Sequence, residues 1–265
     1  MRERRKVAAE SIARSVGQML LDREAHKDLK IEEKSVNDFV TEADTTAEQM
    51  IIEYLSAQFP DDGFLGEEQG ERGSDAPRWV IDPIDGTVNY IRGMPNYTIS
   101  IGWEEEPGNP IVGVVYNVRQ DEMFSAVVGS GAYCNGKPIS VSAIDDPARA
   151  IIICEAPHRK KQWAGRYWQL FSQIFQGCSD LRTFGSIALE LCYMASGRLD
   201  MIFQYDLGYW DIAAGAAILK EAGGIIEPIE PQKNLSVMPC DIIATNGLLH
   251  PWISQQVRDF GSIRD

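Results

Sequence analysis

The chain has 265 residues, a length that allows one large domain or two closely packed halves. Hydrophobic residues make up 44% and charged residues 24%, a globular balance that argues against disordered and membrane-embedded classes. The formal net charge of −14 predicts neither nucleic acid nor an anionic membrane as a partner, because both bind basic surfaces. No long apolar run, secretory signal pattern or C-x-x-C pair is present, so the default expectation is a cytoplasmic protein with reduced thiols.

The first part of the chain predicts two helices. Apolar residues recur near helical spacing over residues 7–21. Over residues 41–58 they form a cleaner stripe, which is typical of an amphipathic helix. Thr41 followed three residues later by Asp44 resembles a capping box, so Asp44 is predicted in the first helical turn. A turn at residues 60–63 then ends the helix.

The middle of the chain predicts strands, and the last third predicts alternating helices and strands. Short β-rich runs separated by turn signals occur at residues 79–81, 97–103, 111–118, 123–128 and 150–154. Helices are then predicted near 162–176, from 186 and from 211, with a final one at the end, and strands near 181–183, 200–203, 225–226 and 241–245. This order indicates a layered α+β protein. We predict one domain over residues 1–265, with halves of about 1–150 and 151–265.

The most informative segment is Trp79-Val80-Ile81-Asp82-Pro83-Ile84-Asp85-Gly86-Thr87, an apolar strand that runs into two acids. Pro83 stiffens the turn, so the strand end can aim both carboxylates at one point. Magnesium prefers oxygen ligands and accepts backbone carbonyls, which makes Asp82, Asp85 and the Ile84 carbonyl a candidate metal site. Gly86 and Thr87 would open a helix or turn whose N–H groups face a phosphate. Alone, the two acids are also compatible with a solvated loop.

Two further acidic clusters lie beside apolar runs. Phe64-Leu65-Gly66-Glu67-Glu68 precedes the central segment, and Tyr209-Trp210-Asp211 begins a predicted helix far downstream. Three such clusters favour one shared site over three solvated faces.

In this order, the elements G-E-E, W-V-I-D-P-I-D-G-T and W-D-I-A-A-G resemble the inositol monophosphatase family of magnesium-dependent, lithium-sensitive phosphatases. Further matches are N-D-F-V-T-E-A-D at 37–44, G-A-Y-C-N-G at 131–136, F-G-S at 184–186 and E-A-G-G at 221–224. The resemblance spans roughly residues 30–246. It implies the family's fold, an α+β layered α/β/α/β/α sandwich, and a homodimer.

The resemblance also implies site roles. Two or three Mg²⁺ ions would be held by Glu67, Asp82, Asp85, Asp211 and the Ile84 carbonyl. The catalytic group would be Asp44, Thr87 and Glu67. Thr87 and Asp44 would orient and deprotonate the water that attacks phosphorus directly, without a phosphoenzyme; for Asp44 the alternative is a simple helix cap. Phosphate oxygens would be held by the N–H groups of Gly86 and Thr87, and the rest of the substrate pocket would be Gly185, Ser186, Ile187, Gln204 and Asp211.

Three positions bear on the substrate or the metals. Gln204 stands where the family has a Glu that contacts inositol hydroxyls, so it keeps hydrogen-bonding capacity but loses the charge. Ile187 replaces a small residue and would narrow the pocket. Lys34 is a candidate cation near the metals, although its spacing to Asp44 is one residue shorter than expected.

The predicted partner is a small-molecule phosphate ester. The resemblance to the family makes inositol 1-phosphate the leading candidate substrate. Alternatives are 3′-phosphoadenosine 5′-phosphate, fructose 1,6-bisphosphate and histidinol phosphate. A catalytically silent metal-binding homologue is the alternative from another class.

Two other patterns are interpreted as incidental. Cys192 and Arg198 have the spacing of the phosphate loop of cysteine phosphatases, but the surrounding segment predicts an apolar helix. The three histidines, His26, His158 and His250, lie outside every motif and are predicted to be surface or packing residues.

Overall fold

The computed structural model describes residues 1–26, 31–35 and 38–264, with side chains described for 1–24 and 41–264. In these ranges the helices are α1 (Arg2–His26), α2 (Glu42–Gln58), α3 (Thr87–Ile91), α4 (Ala164–Phe175), α5 (Ile187–Ala195), α6 (Tyr209–Glu221) and α7 (His250–Phe260). The strands are β1 (Ile31–Ser35), β2 (Asp38–Thr41), β3 (Gly63–Gly66), β4 (Gly70–Arg72), β5 (Arg78–Asp85), β6 (Thr98–Glu104), β7 (Pro110–Asn117), β8 (Glu122–Val127), β9 (Ala132–Cys134), β10 (Lys137–Ile139), β11 (Ile151–Ile153), β12 (Asp180–Arg182), β13 (Met201–Leu207), β14 (Ile225–Pro228) and β15 (Cys240–Thr245).

The strands form two large sheets and one hairpin. The eight-stranded sheet has the order β10-β9-β8-β7-β6-β5-β3-β4 and is antiparallel except between β3 and β5. The five-stranded sheet has the order β12-β11-β13-β15-β14, with β11 parallel to both of its neighbours. Strands β1 and β2 form a separate antiparallel pair.

Three apolar cores separate the sheets and helices into five layers. Helices α1 and α2 pack on one face of the eight-stranded sheet, with Val16, Leu55 and Ile101 in their shared core. Helices α5 and α6 lie between the two sheets, and α4 and α7 cover the far face of the five-stranded sheet. This arrangement confirms the predicted α/β/α/β/α layering.

Helix α2 forms where the apolar stripe predicts it. Thr41 is the N-cap, and Thr41 and Asp44 make the reciprocal hydrogen bonds of a capping box. The stripe residues Ala43, Ala47 and Leu55 are fully buried against the sheet. The predicted helix and its cap are both confirmed.

Strand β5 is the central strand of the site and is buried along its full length, because helices cover both faces of the sheet there. Its pairing with β6 shifts between Asp82 and Asp85, where two residues of β5, Pro83 and Ile84, lie opposite one residue of β6, Ile99. Such a bulge leaves one residue without a ladder position, which suits Pro83 because it has no N–H to donate. With this bulge, β5 continues to Asp85, beyond the strand predicted at residues 79–81.

Several short elements were not predicted, among them β3, β4, β9 and β10. Each has three or four residues, too few to show a periodic pattern. The five cysteines are all free, in agreement with the prediction of reduced thiols. In the described part of the chain, no helix combines the length and apolarity that crossing a bilayer requires.

Candidate active site

One cavity of about 460 Å³ lies where the predicted motifs converge. It is lined by the end of β5, the first turns of α3, α5 and α6, the irregular part of β13 and a loop at residues 155–161. All the predicted site residues except Asp44 line it: Glu67, Asp82, Ile84, Asp85, Gly86, Thr87, Gly185, Ser186, Ile187, Gln204 and Asp211. Residues more than 140 positions apart in sequence, such as Glu67 and Asp211, thus line the same cavity.

A group of three carboxylates forms the acidic end of this cavity. Glu67, Asp82 and Asp211 each offer one oxygen, and these oxygens all lie within 4.8 Å of one another. Burial, followed by repulsion from Glu67, raises the pKa of Asp82 and of Asp211 well above the ordinary value. Asp82 is buried, and Glu67 and Asp211 are half-buried. Three hard oxygen donors crowded together in this way fit a divalent cation, which would relieve the repulsion.

Glu67 is placed by a residue that the motif analysis missed. Glu48, fully buried on α2, accepts hydrogen bonds from the N–H groups of Glu68 (2.9 Å) and Gln69 (2.8 Å). A Cβ at residue 66 would lie 2.5 Å from the Glu48 carboxyl carbon, so only Gly66 allows this approach. Gly66 in the G-E-E element is therefore needed so that the buried Glu48 can approach and hold the loop that carries Glu67.

Asp211 is fixed by the start of α6. Its Oδ2 accepts a hydrogen bond of 2.7 Å from the N–H of Gly208, which caps the helix. The neighbouring Tyr209 hydroxyl donates to Glu104, which is itself buried and paired with Arg78. The side chain that faces the cavity is thus carried by a helix end anchored in the core.

Asp85 lies close to these three carboxylates, and its side chain also caps a helix. Its Oδ2 accepts hydrogen bonds from Ser186 Oγ (2.6 Å) and from the N–H of Ala188 (2.7 Å), so it caps α5. Burial raises the pKa of Asp85 to about 6, although these hydrogen bonds oppose the rise. Asp85 is outside the group of three, and its role as a metal ligand stays a prediction.

The predicted catalytic pair is in contact. Thr87 Oγ1 lies 3.3 Å from Asp44 Oδ1 and 3.0 Å from the Ile84 carbonyl oxygen. Asp44 uses its other oxygen, Oδ2, to accept from the backbone N–H of Thr41 (2.8 Å) and from the Thr41 hydroxyl (2.7 Å). The two interpretations of Asp44 are therefore compatible, because one oxygen caps the helix while the other faces Thr87.

Gly86 lets the turn after β5 approach the loop at residues 184–186. Gly86 has φ +95°, and a Cβ there would lie 2.9 Å from the Asn96 carbonyl oxygen and 3.0 Å from that of Gly185. Asn89, which sequence reasoning missed, crosses the same junction and donates from Nδ2 to the carbonyl oxygens of Asn96 (2.6 Å) and Phe184 (2.7 Å). The turn predicted to face the phosphate is thereby tied to the predicted substrate loop.

The residues predicted to contact the organic part of the substrate also face the cavity. Ser186 is the N-cap residue of α5, and Ile187 follows it with its side chain nearly buried. Gln204 lies at the irregularity of β13, and its Oε1 is buried without a hydrogen-bond partner among the described residues. An unpaired buried acceptor of this kind is what a bound ligand would satisfy.

The loop at residues 155–161 is the part of the site that sequence reasoning missed. Glu155, His158, Arg159 and Lys161 line the cavity, and Arg159 acts on Asp211 by opposing the rise of its pKa. His158 is exposed, as predicted, but the prediction did not place it on a cavity wall. The run His158-Arg159-Lys160-Lys161 in an acidic chain was a visible signal of a basic segment.

Two remaining predictions concern other residues. Cys192 is fully buried on α5 with its pKa raised well above the ordinary value by burial, and Arg198 pairs with Glu122. The C-x-x-x-x-x-R spacing is therefore incidental, as predicted. The side chain of Lys34 lies outside the described residues.

A five-layer α+β fold with clustered carboxylates beside a threonine–aspartate pair is the arrangement expected of a metal-dependent phosphatase. The model of the inositol monophosphatase family matches residues 1–262. A fructose-1,6-bisphosphatase/inositol-1-monophosphatase from Aquifex aeolicus is 38% identical over 231 residues, which are 87% of this chain and 86% of the relative. The Nus factor SuhB of Escherichia coli is 38% identical over 216 residues, 81% of this chain and 80% of the relative.

The fold also matches that of a solved structure. The crystal structure of the extragenic suppressor protein suhB from Bartonella henselae has a TM-score of 0.89 at 33% identity, covering 95% of this chain and 97% of that one. The chain belongs to the inositol monophosphatase family, and its relatives that are named inositol-1-monophosphatases are phosphomonoesterases. Members of this family depend on metal ions, in agreement with the acidic group.

Proposed function

We propose that the protein hydrolyses a small phosphate monoester with Mg²⁺, by direct attack of water on phosphorus. The observation that carries this proposal is the convergence of Glu67, Asp82 and Asp211 within 4.8 Å in the cavity that Thr87 also lines. A silent binding protein would not need the contact between Thr87 and Asp44 on the edge of that cavity.

The carboxylates of Glu67, Asp82 and Asp211 would hold the cation, with Asp85 and the Ile84 carbonyl as further predicted ligands of two or three ions. Bound Mg²⁺ supplies charge that neutralises phosphate oxygens and favours ionisation of water. The unfavourable crowding of these acids in the free protein becomes favourable once the ions are bound.

The chain's own groups would handle the proton and the phosphate. Thr87 donates its hydroxyl proton to Asp44 Oδ1, which leaves the Thr87 oxygen free to accept from the attacking water, and Asp44 is the final base. The N–H groups of Gly86 and Thr87 are proposed to hold phosphate oxygens. The new bond would join the water oxygen to phosphorus as the ester bond breaks. The leaving alkoxide would take a proton from solvent, and Asp44 would return the proton of the attacking water to solvent, so that the protons balance.

Inositol 1-phosphate is the leading substrate by resemblance, but the organic half of the pocket keeps other esters open. Gln204 is a neutral amide, and Ile187 narrows the space beside α5. The Aquifex relative is named for both a sugar bisphosphate and inositol monophosphate, which supports testing both groups.

A panel of phosphate esters tests the function directly. Phosphate release is measured with inositol 1-phosphate, fructose 1,6-bisphosphate, 3′-phosphoadenosine 5′-phosphate and histidinol phosphate, with Mg²⁺ and then with excess EDTA. We expect phosphate release that excess EDTA abolishes. The values of kcat/KM then rank the four esters as substrates. A phosphoenzyme trapped by acid quench would contradict direct attack by water.

The second candidate is a binding or regulatory role without catalysis. It is favoured by the E. coli relative, which is named a Nus factor and has the same 38% identity as the Aquifex phosphatase relative. Overall identity therefore does not separate the two roles. Absence of phosphate release from every ester at saturating Mg²⁺ would favour this candidate.

Homodimer formation, lithium sensitivity and a cytoplasmic location stay predictions, as does the exclusion of nucleic acid and membrane as partners. Light scattering on the purified chain tests the oligomer, and phosphate release against lithium concentration tests the inhibition.

A further inference from the structure

Strand β13 reaches the cavity at an irregularity in its pairing with β15. Two residues of β13, Tyr205 and Asp206, lie there opposite one residue of β15, Asp241. Asp206 has a φ of +66°, in the left-handed region that costs free energy for a residue with a side chain. Residues 204–207 all line the cavity, so this bulge sets the shape of that part of the site.

The side chain of Asp241 supports the bulge. Its Oδ1 accepts a hydrogen bond of 3.0 Å from the N–H of Asp206. Because a bulge interrupts the regular ladder of backbone hydrogen bonds, an acceptor from a side chain can replace the missing partner. The Asp241 side chain is only 10% exposed, so its negative charge is costly unless a cation compensates it.

Arg264, in the segment after α7, compensates this charge. Its Nη2 donates to both oxygens of Asp241, at 2.8 Å to Oδ1 and 2.6 Å to Oδ2. Burial raises the pKa of Asp241, and the hydrogen bond from Asp206 and the charges of Arg264 and Lys233 oppose the rise. Charge-assisted hydrogen bonds are about twice as strong as neutral ones. Arg264 therefore stabilises the ionised carboxylate that supports the bulge.

The same guanidinium contacts a second segment beside the cavity. Arg264 Cζ lies 4.9 Å from the centre of the Trp163 ring, which is a cation–π contact. Trp163 ends the 3-10 turn Lys161–Trp163, and Lys161 lines the cavity. Arg264 thus joins this turn to the bulge of β13.

The backbone that carries Arg264 is itself anchored. Ile263 is 1% exposed in the core on the far face of the five-stranded sheet. Arg166 Nη2 donates to the Ser262 carbonyl oxygen (3.1 Å), and the N–H of Arg264 donates to Ser262 Oγ (3.0 Å). A side chain on an anchored backbone loses less conformational entropy in holding a partner than one on a free segment.

We propose that Arg264 is a positioning residue for substrate binding: through Asp241 it holds the bulge of β13, so that Gln204 and Asp206 face the bound ester in one arrangement. This inference rests on the proposed function, and it names a residue on which affinity for the organic part of the substrate depends. Arg264 does not line the cavity, and it takes no part in the chemistry.

The test compares variants in a steady-state assay. It uses the ester that the panel ranks first, with inorganic phosphate as the product inhibitor. The variants are Arg264→Gln and Arg264→Lys. Arg258→Gln is the control, because Arg258 makes a similar ion pair with Glu227, and neither residue lines the cavity. The side chains of Arg264 and Arg258 are 33% and 43% exposed, so their replacement should leave folding intact, which thermal melts verify.

Arg264→Gln should raise KM for the ester by about five- to tenfold while kcat changes by less than about twofold, since only ground-state contacts are lost. The Ki of inorganic phosphate and the Mg²⁺ affinity from calorimetry should change by less than about twofold, because both ligands are proposed to bind at the acidic end. A purely structural role would lower thermal stability without separating these constants. Arg264→Lys keeps a cation beside Asp241 and should recover most of the affinity, and Arg258→Gln should match the wild type.

An unchanged KM in Arg264→Gln, or equal losses in KM, phosphate Ki and Mg²⁺ affinity, would overturn the inference and leave the phosphatase proposal in place. If no ester of the panel is hydrolysed, the proposed function fails instead, and amide hydrogen exchange followed by NMR still tests the anchor. The amide of Asp206 should exchange about tenfold faster in Arg264→Gln than in the wild type, and no faster in Arg258→Gln. Equal exchange in Arg264→Gln and the wild type would overturn the inference without any turnover.

Discussion

The acidic end of the cavity is built differently from the loop at residues 155–161, which brings His158, Arg159 and Lys161 to the same cavity. Each acidic residue lies in a regular element or directly after one: Glu67 follows β3, Asp82 lies in β5 and Asp211 lies in the first turn of α6. The basic residues lie on a loop between β11 and α4, where the chain has only one short 3-10 turn. The three carboxylates, whose oxygens lie within 4.8 Å of one another, are thus positioned by elements anchored in the core, whereas the cations are carried by a loop.

Loss of one acidic residue should have the largest effect of any single change. Asp82→Asn removes charge from the group of three, and we expect kcat/KM to fall by about a thousandfold because metal stabilisation of the reacting phosphate is worth several kcal/mol. Phosphate release with saturating Mg²⁺ measures this, and calorimetry measures the loss of Mg²⁺ binding.

Asp206→Asn is the matched control for this change. Asp206 lines the same cavity from β13, and its φ of +66° is one that asparagine tolerates. We expect less than about a tenfold effect, since Asp206 is outside the acidic group. Full activity of Asp82→Asn would show that the metal site is placed wrongly.

The same contrast explains how far sequence reasoning could go. The acidic end was predictable because Glu67, Asp82 and Asp211 stand in short motifs beside apolar runs. Glu48 was not, because an isolated glutamate on an amphipathic helix gives no local signal, and its role depends on the approach of Gly66 from another strand. The cation run at residues 158–161 was visible, but its position on the cavity wall follows from packing between distant segments.

The layering was predictable from the order of elements, and the short strands were not. β3 has four residues, and its place at the centre of the site depends on parallel pairing with β5 rather than on its own pattern. Asn89 is missed for the same reason, because its acceptors, Asn96 and Phe184, lie seven and 95 residues away in sequence.

The threonine–aspartate contact offers the next largest effect. Thr87→Val removes the hydroxyl that lies 3.3 Å from Asp44 Oδ1, and we expect kcat to fall by about a hundredfold with little change in KM. Thr87→Ser keeps the hydroxyl and should recover most of the activity in the same steady-state assay. Equal loss in both variants would indicate that the methyl group, not the hydroxyl, matters.

Glu48→Gln should have a smaller effect, on metal affinity rather than on chemistry. Gln keeps one acceptor for the N–H groups of Glu68 and Gln69 but loses the other, so the loop that carries Glu67 is held less firmly. We expect Mg²⁺ affinity to fall by about tenfold, measured by calorimetry. Glu53→Gln, on the exposed side of the same helix, is the control and should leave the affinity unchanged.

The smallest predicted effect is the contribution of Asp85 to the pH dependence of stability in the metal-free protein, to which Asp82 and Asp211 also contribute because their pKa values are raised. The pKa of Asp85 is raised from 3.8 to about 6 in the folded protein, so the folded state binds more protons than the unfolded state between those values. The free energy of unfolding therefore falls as pH rises through this window, by about 2 kcal/mol between about pH 4.5 and 7. For a chain of this length that corresponds to a decrease in Tm of about 5 °C in EDTA.

Asp85→Asn isolates this contribution from those of the other acids. Asn still offers an oxygen to Ser186 Oγ and to the N–H of Ala188, so the cap of α5 is kept while the titrating group is removed. The Tm of the variant in EDTA should consequently decrease by about 5 °C less than that of the wild type over the same pH range. Saturating Mg²⁺ should cancel the wild-type dependence if Asp85 is a ligand, because the bound cation favours the ionised carboxylate. Persistence of the dependence in Mg²⁺ would assign Asp85 to capping alone and leave Glu67, Asp82 and Asp211 as the metal-binding carboxylates.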